Sequence, residues 1–451
     1  MMKRLKCITI WMGFCATLLA QNPIIHDQFG ADPTARVFND TLYLYCSHDI
    51  AAPDDYERKD WFCMHDYHVF SSTDLVHWQD YGPQFSQDDV SWVKQRSYSM
   101  WAPDCVYANG QYYLYFPAVA REAKKDEVFG VGIALSNRPE GPFRPTQQRI
   151  EGIKGIDPGV FIDDDGQAYI YWAEKGIHGA RLKASMTALD GEERLLLPNT
   201  EGAYKEGPFM LKRGGIYYLT YPCQDGPAEA LVYATSKSPL GPFEYRGKIM
   251  DVIPPTDGVS DPQRPYCWTN HHSIVEYRGQ WYLFYHHNDY DPKMDAHRSV
   301  RIDSLTFLAD GSIRKVEPTL RGVGVTDAGS EIQIDRYSQL KGAGSSIAFV
   351  NPQQPFDGWY VRLSQEGDEV TYNKINFCTT ARRLLIKYRS RSKSKLTLSI
   401  GETSLACELP AQQGWTTYYK TLNKVAEGVK DLSLRLYMGD IDIDWIKFEN
   451  Q

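Results

Sequence analysis

Short apolar segments alternate with turn residues along most of the chain, and the pattern repeats. One copy, "YKEGPFMLKRGGIYYLTY" (204–221), has a glutamate and a Gly-Pro pair ahead of an apolar run, a glycine turn and a Tyr-rich run. Two apolar runs joined by a glycine-containing turn are typical of a β-hairpin. The other copies of this order are "ADPTARVFNDTLYLYCS", "WAPDCVYANGQYYLYF", "IDPGVFIDDDGQAYIYW" and "HHSIVEYRGQWYLFYHH". The chain therefore contains five copies of one hairpin unit.

A second phrase follows most of the hairpins and supplies further strands, as in "VFSSTDLVHW", "IALSNRPEGPF" and "YATSKSPLGPF". Each unit then has about four strands, and successive units begin about 50 to 70 residues apart. That spacing is typical of β-propeller blades with inserted loops. We predict a five-bladed β-propeller over residues 22–325.

A polar or aromatic residue opens the first strand of every unit. In a propeller the innermost strand of each blade runs beside the central axis. The residues that open these strands, here called the strand mouths, therefore face one central funnel. We therefore expect five side chains from distant parts of the sequence to converge there: Asp32, Trp101, Asp157, Glu206 and His271.

The last quarter of the chain has a different pattern. The Gly/Ser/Ala-rich segments "GVGVTDAGS" and "KGAGSS" separate it from the hairpins. Its strands then alternate apolar and polar residues with period two, as in "RRLLIKYRS", "KLTLSIG" and "IDIDWIKFE", with no convincing helix. We predict a second all-β domain over residues 330–451, an antiparallel, jelly-roll-like β-sandwich.

Charge and composition exclude one class of partner. The net charge is −8, and no Lys/Arg stripe is interleaved with stacking aromatic residues, so a nucleic-acid partner is not expected. The chain has 30 Tyr and 11 Trp. Most of these rings would pack the blades, and the remainder fit platforms on which the C–H faces of sugars stack.

Residues 1–20 are typical of a secretory signal. Lys3, Arg4 and Lys6 precede an apolar stretch too short to span a bilayer, and cleavage is expected after Ala20. Phe14 stands where a lipoprotein signal needs a small residue before its cysteine. No other segment could cross a membrane, so we predict a periplasmic or secreted protein. Two of the nine cysteines, Cys7 and Cys15, lie within residues 1–20. The other seven are scattered, which favours buried apolar positions over disulfides or a zinc site.

The five hairpin units open, in order, with "ADPT", "MWAPD", "IDPG", "EGP" and "NHHSIV". The chain also contains "SSTDLVHW" and "SPLGPF". Together these motifs resemble glycoside hydrolase family 43. That family consists of five-bladed propeller enzymes that release arabinofuranose or xylose from plant polysaccharides, and the resemblance covers about the first 325 residues. The C-terminal region, with "GWTTYYKTL" and "IDIDWIKFE", resembles carbohydrate-binding module family 6, although it lacks that family's Glu-Ala-Glu opening.

The resemblance implies roles for three carboxyl groups. Inverting glycosidases need one acid that protonates the leaving oxygen and one base that activates water. By resemblance, Asp32 is the general base and Glu206 the general acid. Asp157 would orient Glu206 and raise its pKa by like-charge repulsion.

Three further positions follow from the same resemblance. A histidine in the fifth blade contacts a calcium-like ion on the axis in this family, directly or through water, and His271 aligns with it better than His272. Trp101 would form a sugar-stacking wall, and Arg298 would reach a sugar hydroxyl. Each of these side chains could equally have a purely structural role. Hydrolysis by two carboxyl groups requires no cofactor, so the calcium would be structural.

The expected activity is that of an α-L-arabinofuranosidase acting on arabinose- or xylose-containing polysaccharides or oligosaccharides. A β-xylosidase and an endo-arabinanase of the same family are alternatives. A retaining fructan hydrolase shares the architecture, but its Asn-Asp-Pro-Asn-Gly, Arg-Asp-Pro and Glu-Cys motifs are absent. A non-catalytic carbohydrate-binding propeller is the alternative from another class, and the presence of all three acidic residues argues against it.

Overall fold

The computed structural model describes residues 21–122, 128–200, 203–253, 259, 266–377, 381–423 and 427–450. Within these ranges the regular structure consists of β-strands and two short 3-10 turns, Gln87–Asp89 and Pro355–Asp357. The all-β prediction is therefore confirmed. No helix in this part of the chain is long and apolar enough to cross a membrane. The predicted signal, residues 1–20, lies outside the described residues.

Five antiparallel sheets, the blades, follow one another along the first part of the chain. The first two blades are β1 (Ala31–Phe38), β2 (Thr41–Asp49), β3 (Met64–Ser72) and β4 (Gln79–Ser86), then β5 (Asp104–Ala108), β6 (Gln111–Val119), β7 (Phe129–Ser136) and β8 (Arg144–Arg149). The next two are β9 (Ile156–Ile162), β10 (Ala168–Ala173), β11 (Gly176–Arg181) and β12 (Arg194–Pro198), then β13 (Phe209–Arg213), β14 (Ile216–Asp225), β15 (Ala228–Ser236) and β16 (Glu244–Met250). The fifth is β17 (His272–Tyr277), β18 (Gln280–His287) and β19 (Ser299–Leu305).

The first strands of the five blades form a closed ring. Strand β1 contacts β5 and β17, β9 contacts β5 and β13, and β13 contacts β17. Buried apolar side chains fill the space between each pair of neighbouring blades. The predicted five-bladed propeller is confirmed, with the difference that the fifth blade has three strands among the described residues.

The segment ahead of β1 connects the last blade to the first. It runs along β19, where Ile24 N donates to Val300 O at 2.9 Å. Farther toward the axis, Gly30 N donates to Arg298 O at 2.9 Å. The Asn22 side chain donates to Ile302 O at 3.0 Å and accepts from Ile302 N at 2.8 Å. These bonds satisfy backbone groups on the edge of β19 and join the two ends of the ring.

The C-terminal region is a sandwich of two sheets around one apolar core. One sheet contains β20 (Thr326–Asp327), β22 (Gln339–Lys341), β25 (Glu369–Phe377), β27 (Ser394–Ile400), β28 (Thr403–Leu409) and β30 (Gly428–Met438). The other contains β21 (Ile332–Gln333), β23 (Ser346–Phe349), β24 (Trp359–Leu363), β26 (Arg383–Ser390), β29 (Gln412–Thr421) and β31 (Ile441–Glu449). Strand β20 pairs with β25 and lies ahead of the predicted domain start at residue 330.

The separate core of the sandwich leads to a stability prediction. Ile443 is fully buried on β31, between Val361 and Tyr388 on the neighbouring strands. Ile443→Ala should reduce the free energy of unfolding of the sandwich by about 2–5 kcal/mol, because it leaves a cavity. Differential scanning calorimetry should show a lower sandwich transition, with unchanged hydrolysis of an aryl glycoside.

Val429→Ala is the matched control, because Val429 is half exposed on β30 and its truncation should change stability by less than about 0.5 kcal/mol. Equal effects of the two substitutions, or loss of activity in the Ile443 variant, would contradict an independent sandwich core.

Candidate active site

A pocket of about 210 Å³ opens on the axis of the propeller, where the strand mouths meet. All six residues predicted for the site line this pocket, and their individual roles remain predictions. Its wall includes Asp32, Trp101, Asp157, Glu206, His271 and Arg298, together with Trp61, Phe62, Met64, Ile156, Trp268, Thr269 and Asn270.

Backbone irregularities place two of the carboxyl groups at the axis. Asp32 and Asp157 have left-handed backbones, with φ of +51° and +57°, a conformation that side chains other than glycine rarely adopt. The pairing of β1 with β2 shifts register between Ala31 and Thr34, and that of β9 with β10 shifts beside Asp157. Such bulges redirect a side chain at the end of a strand. Both carboxyl groups therefore occur at equivalent positions of their blades.

Asp32 is buried and surrounded by hydrogen-bond donors. Its Oδ1 accepts from Arg298 Nη1 at 2.9 Å, and its Oδ2 accepts from Ser47 Oγ at 2.5 Å. Its backbone N donates to His286 Nδ1 at 3.1 Å. Burial alone would raise the pKa of Asp32, but the charge of Arg298 is the main opposing influence, supported by the Ser47 hydroxyl, and the pKa lies below its usual value. Asp32 therefore stays ionised.

Arg298 is held by two carboxylates. Its Nε and Nη2 donate to Asp49 at 2.9 and 2.8 Å, while Nη1 donates to Asp32. The guanidinium also lies over the ring of Phe62, 4.8 Å from its centroid. Sequence reasoning assigned Arg298 to a sugar hydroxyl, and the contacts add a second role, since Arg298 fixes the orientation of Asp32.

Glu206, Asp157 and Glu229 form a second acidic group in the site. Burial raises the pKa of Glu206 well above its usual value, and Glu229 and Asp32 raise it further. Burial also raises the pKa of Asp157, followed by repulsion from Glu206. The pKa of Glu229 rises to about 8, mainly through burial, although its carboxylate accepts from Asn270 N at 2.8 Å. The three carboxyl groups therefore ionise at higher pH than isolated ones, because burial and mutual repulsion both disfavour their charged forms.

Gly207 lets the chain turn between Glu206 and the propeller wall. It has a φ of +47°, and its N donates to Asp157 Oδ2 at 3.0 Å. A Cβ at this position would lie 2.9 Å from the Pro222 ring and 3.0 Å from His271 Nδ1. The glycine of "EGP" is therefore required by backbone conformation and by the close approach of the fifth blade.

Sequence reasoning missed Glu229 and Asp49. Glu229 is a buried acid within the otherwise apolar segment "AEALVY" of β15, and that contrast was an available signal. Asp49 ends β2 and is fully buried. No spacing in the sequence relates it to Arg298, because the pair depends on the contact between the first and fifth blades.

Aromatic side chains wall the pocket. Phe62 stacks on Trp268 with centroids 5.9 Å apart, and Trp61 lies 6.2 Å from Trp268. Trp101 packs on Phe129 at 4.9 Å. Among the described residues, Trp101 Nε1 has no hydrogen-bond partner although it is buried. This wall offers apolar faces to a sugar ring.

The side chains around His271 offer few ligands to a calcium ion. Burial lowers the pKa of His271, so its imidazole is neutral despite the nearby Asp32. In the described part of the chain, His271 belongs to no group of three metal-binding side chains whose ligand atoms converge. Calcium prefers six to eight oxygen ligands, and Arg298 adds a positive charge beside this pocket. The side chains around His271 supply too few oxygen ligands to hold calcium without water molecules, and a calcium ion at His271 stays a prediction.

Comparisons with known proteins agree with this geometry. Residues 20–313 match the model of glycosyl hydrolases family 43, and residues 339–450 match that of carbohydrate binding module (family 6). The chain is 34% identical over 345 residues to xylosidase/arabinosidase 43A of Humicola insolens, covering 66% of this chain and 99% of that protein.

Two solved structures extend the comparison. A family 43 β-xylosidase/α-arabinofuranosidase from a compost microbial metagenome is 34% identical, with a TM-score of 0.57 over 67% of this chain and 98% of that chain. A Bacillus subtilis arabinoxylan arabinofuranohydrolase is 22% identical, with a TM-score of 0.57 over 96% of this chain and 99% of that chain, which shows a shared fold across both domains. With the propeller matched over most of its length, the chain belongs to glycosyl hydrolase family 43 and is a glycoside hydrolase.

Proposed function

We propose that this enzyme is an inverting exo-glycosidase that releases α-L-arabinofuranose or β-xylose units from plant cell-wall polysaccharides or oligosaccharides. One observation carries the proposal. Two carboxyl groups of the same pocket have opposite environments, since the pKa of Asp32 is held low and that of Glu206 is raised. Such a separation is what a base and an acid need at the same pH.

The chemistry follows from these two states. Ionised Asp32 accepts a proton from a water molecule, which attacks the anomeric carbon. Protonated Glu206 donates its proton to the glycosidic oxygen as the bond to the leaving group breaks. Arg298 keeps Asp32 ionised and oriented. Asp157 and Glu229 keep Glu206 protonated, because a second negative charge in this buried group is unfavourable.

The shape of the site supports release of one sugar at a time. The pocket has room for a single pentose ring against the aromatic wall, and it adjoins an open groove of about 890 Å³ that shares Trp61, Trp101 and Ile156. We propose that the terminal sugar occupies the pocket and the rest of the substrate lies in the groove. An endo-arabinanase would need a cleft open at both sides of the carboxyl groups.

Arabinofuranose is the proposed preference, with xylose as the second candidate. The Humicola insolens relative is named for both activities, and the Bacillus subtilis protein is named an arabinoxylan arabinofuranohydrolase. We also propose that residues 1–20 direct export to the periplasm or medium, and that the sandwich holds the enzyme on the polysaccharide.

The stereochemistry of the product tests the mechanism. Proton NMR during hydrolysis of aryl α-L-arabinofuranoside and aryl β-xyloside should first show the anomer opposite to that of the substrate. Arabinoxylan and arabinan should then yield free pentose rather than oligosaccharides. Retention of configuration would refute the assignment of Asp32 as base, and early release of oligosaccharides would refute exo action.

Substitution of the two carboxyl groups should have different effects. Asp32→Asn should reduce kcat by about 10²–10⁴-fold or more on every substrate, because no leaving group replaces the base. Glu206→Gln should reduce kcat by a similar factor on an oligosaccharide. The reduction of kcat should be far smaller on a dinitrophenyl glycoside, whose leaving group needs little protonation. Steady-state kinetics on both substrates distinguish these outcomes. Equal losses for Glu206→Gln on the two substrates would argue against its role as acid.

The pH profile should reveal which neighbour tunes Glu206. Glu206 must be protonated to act, so its pKa sets the basic limb of kcat/KM. Removing a nearby negative charge should lower that pKa and move the basic limb to lower pH. We expect this shift for Glu229→Gln and for Asp157→Asn, with the larger shift in the Glu229 variant. A basic limb that stays unchanged in both variants would contradict the proposed coupling.

A further inference from the structure

We propose that His48, Asp66 and His68 form a binding site for a divalent transition-metal ion such as Zn²⁺ in the first blade, separate from the active-site pocket. The two histidines and the aspartate lie on the adjacent strands β2 and β3. In the described part of the chain, this is the only group of three or more His, Cys, Asp or Glu side chains whose ligand atoms converge.

The distances fit one ion with three protein ligands. One ligand atom from each side chain lies within 4.8 Å of the others. His48 Nδ1 is 2.9 Å from Asp66 Oδ1, and His68 Nε2 is 3.8 Å from the same oxygen. Tetrahedral Zn²⁺ with bonds of about 2.0–2.1 Å places its ligand atoms about 3.3–3.4 Å apart. The two distances bracket this value, so small side-chain rotations would close the site.

Antiparallel pairing of β2 with β3 places these side chains together. The register of β2 with β3 shifts between Ser47 and Asp49, at the position of His48. The register of β3 with β4 shifts between Asp66 and His68. Continuing the pairing of Cys46 with His68 and of Ser47 with Tyr67 brings His48 opposite Asp66. Asp66 and His68 are two residues apart on β3, so all three side chains lie on one face of the blade.

A carboxylate behind His68 prepares it for coordination. Asp80 lies 3.2 Å from His68 Nδ1 and is itself fixed by Gln28 Nε2 at 2.9 Å and Gly82 N at 2.7 Å. Because Asp80 only accepts, Nδ1 carries the proton and Nε2 presents its lone pair toward Asp66. This carboxylate–histidine arrangement is typical of metal ligands, whose second ring nitrogen is held by an acceptor.

The donor set favours a transition metal over calcium. Two imidazole nitrogens and one carboxylate suit Zn²⁺, Co²⁺ or Ni²⁺, whereas calcium prefers oxygen ligands. The three side chains are 10–24% exposed, so water can reach the fourth coordination position. For Nδ1 of His48 to bind the ion, the proton it shares with Asp66 must leave that nitrogen: a neutral ring carries it on Nε2 instead, and a protonated ring releases one proton to solvent.

Along the chain, the site flanks residues that shape the active-site pocket. His48 precedes Asp49, the partner of Arg298, and the segment between β2 and β3 carries Trp61 and Phe62. An ion bridging β2 and β3 would therefore stabilise the base of that segment. The site holds no substrate-contacting group, so its role would be to support the fold.

A metal-binding measurement tests the proposal. It uses the full-length mature chain, which is purified without a histidine tag and stripped of metal with a chelator. Equilibrium dialysis against Zn²⁺ with elemental analysis should give one tightly bound ion per chain. Co²⁺ should give visible absorption bands of a tetrahedral site. Zn²⁺ should raise the melting temperature of the propeller by about 2–4 °C. His68→Gln and His48→Gln should each weaken Zn²⁺ binding by at least about tenfold.

His77→Gln is the matched control. His77 Nδ1 pairs with Asp74 at 2.7 Å as His48 does with Asp66, but the pair is exposed and no third ligand lies beside it among the residues that the structure describes. This variant should bind Zn²⁺ like the parent. Asp66→Asn provides a second test that removes a ligand while preserving size, and metal-free melting curves verify the fold of each variant. Unchanged Zn²⁺ binding in the His48, Asp66 and His68 variants, or equal weakening in the His77 variant, would overturn the proposal.

Discussion

The buried ion pairs of Arg298 with Asp32 and Asp49 are the interaction on which both the fold and the site depend. Asp32 and Asp49 belong to the first blade, and Arg298 precedes the last strand of the fifth. The same arginine uses its backbone N and O to bond Asp49 and Gly30. Removal of Arg298 would leave two buried carboxyl groups without a counter-charge, which is far more costly than loss of an exposed pair. The same ion pairs therefore join the first blade to the fifth and keep Asp32 ionised.

The protonation states of the site follow from where each carboxyl group lies relative to that arginine. Asp32 bonds the guanidinium directly and keeps a low pKa. Glu206 and Glu229 lie among other acids, and burial raises the pKa of both. Desolvation acts on all three, so it cannot distinguish base from acid. The position of Arg298, which bonds Asp32 directly, separates the ionised base from the protonated acid.

The strand mouths show how the propeller tolerates local strain at its centre. Left-handed backbones at Asp32 and Asp157 are unfavourable in isolation, yet both lie beside bulges that the surrounding blades fix. Repetition of the blade places these irregularities at equivalent points. The first blade carries a further register shift between β2 and β3, next to the cluster of His48, Asp66 and His68.

The amino-acid sequence by itself determined the repeated hairpin, the all-β fold and the residues at the strand mouths. These features are local, because turn residues and period-two alternation fix a hairpin and its register wherever the hairpin occurs. The motifs around Asp32, Asp157 and Glu206 are local in the same sense. The partnership of Arg298 with Asp49, the approach of Glu229 to Glu206 and the convergence of His48 with Asp66 were decided only by the tertiary structure. Each depends on ring closure, on blade packing or on the register between neighbouring strands, and a distance across blades is set by the packing of the whole ring rather than by any segment of the sequence.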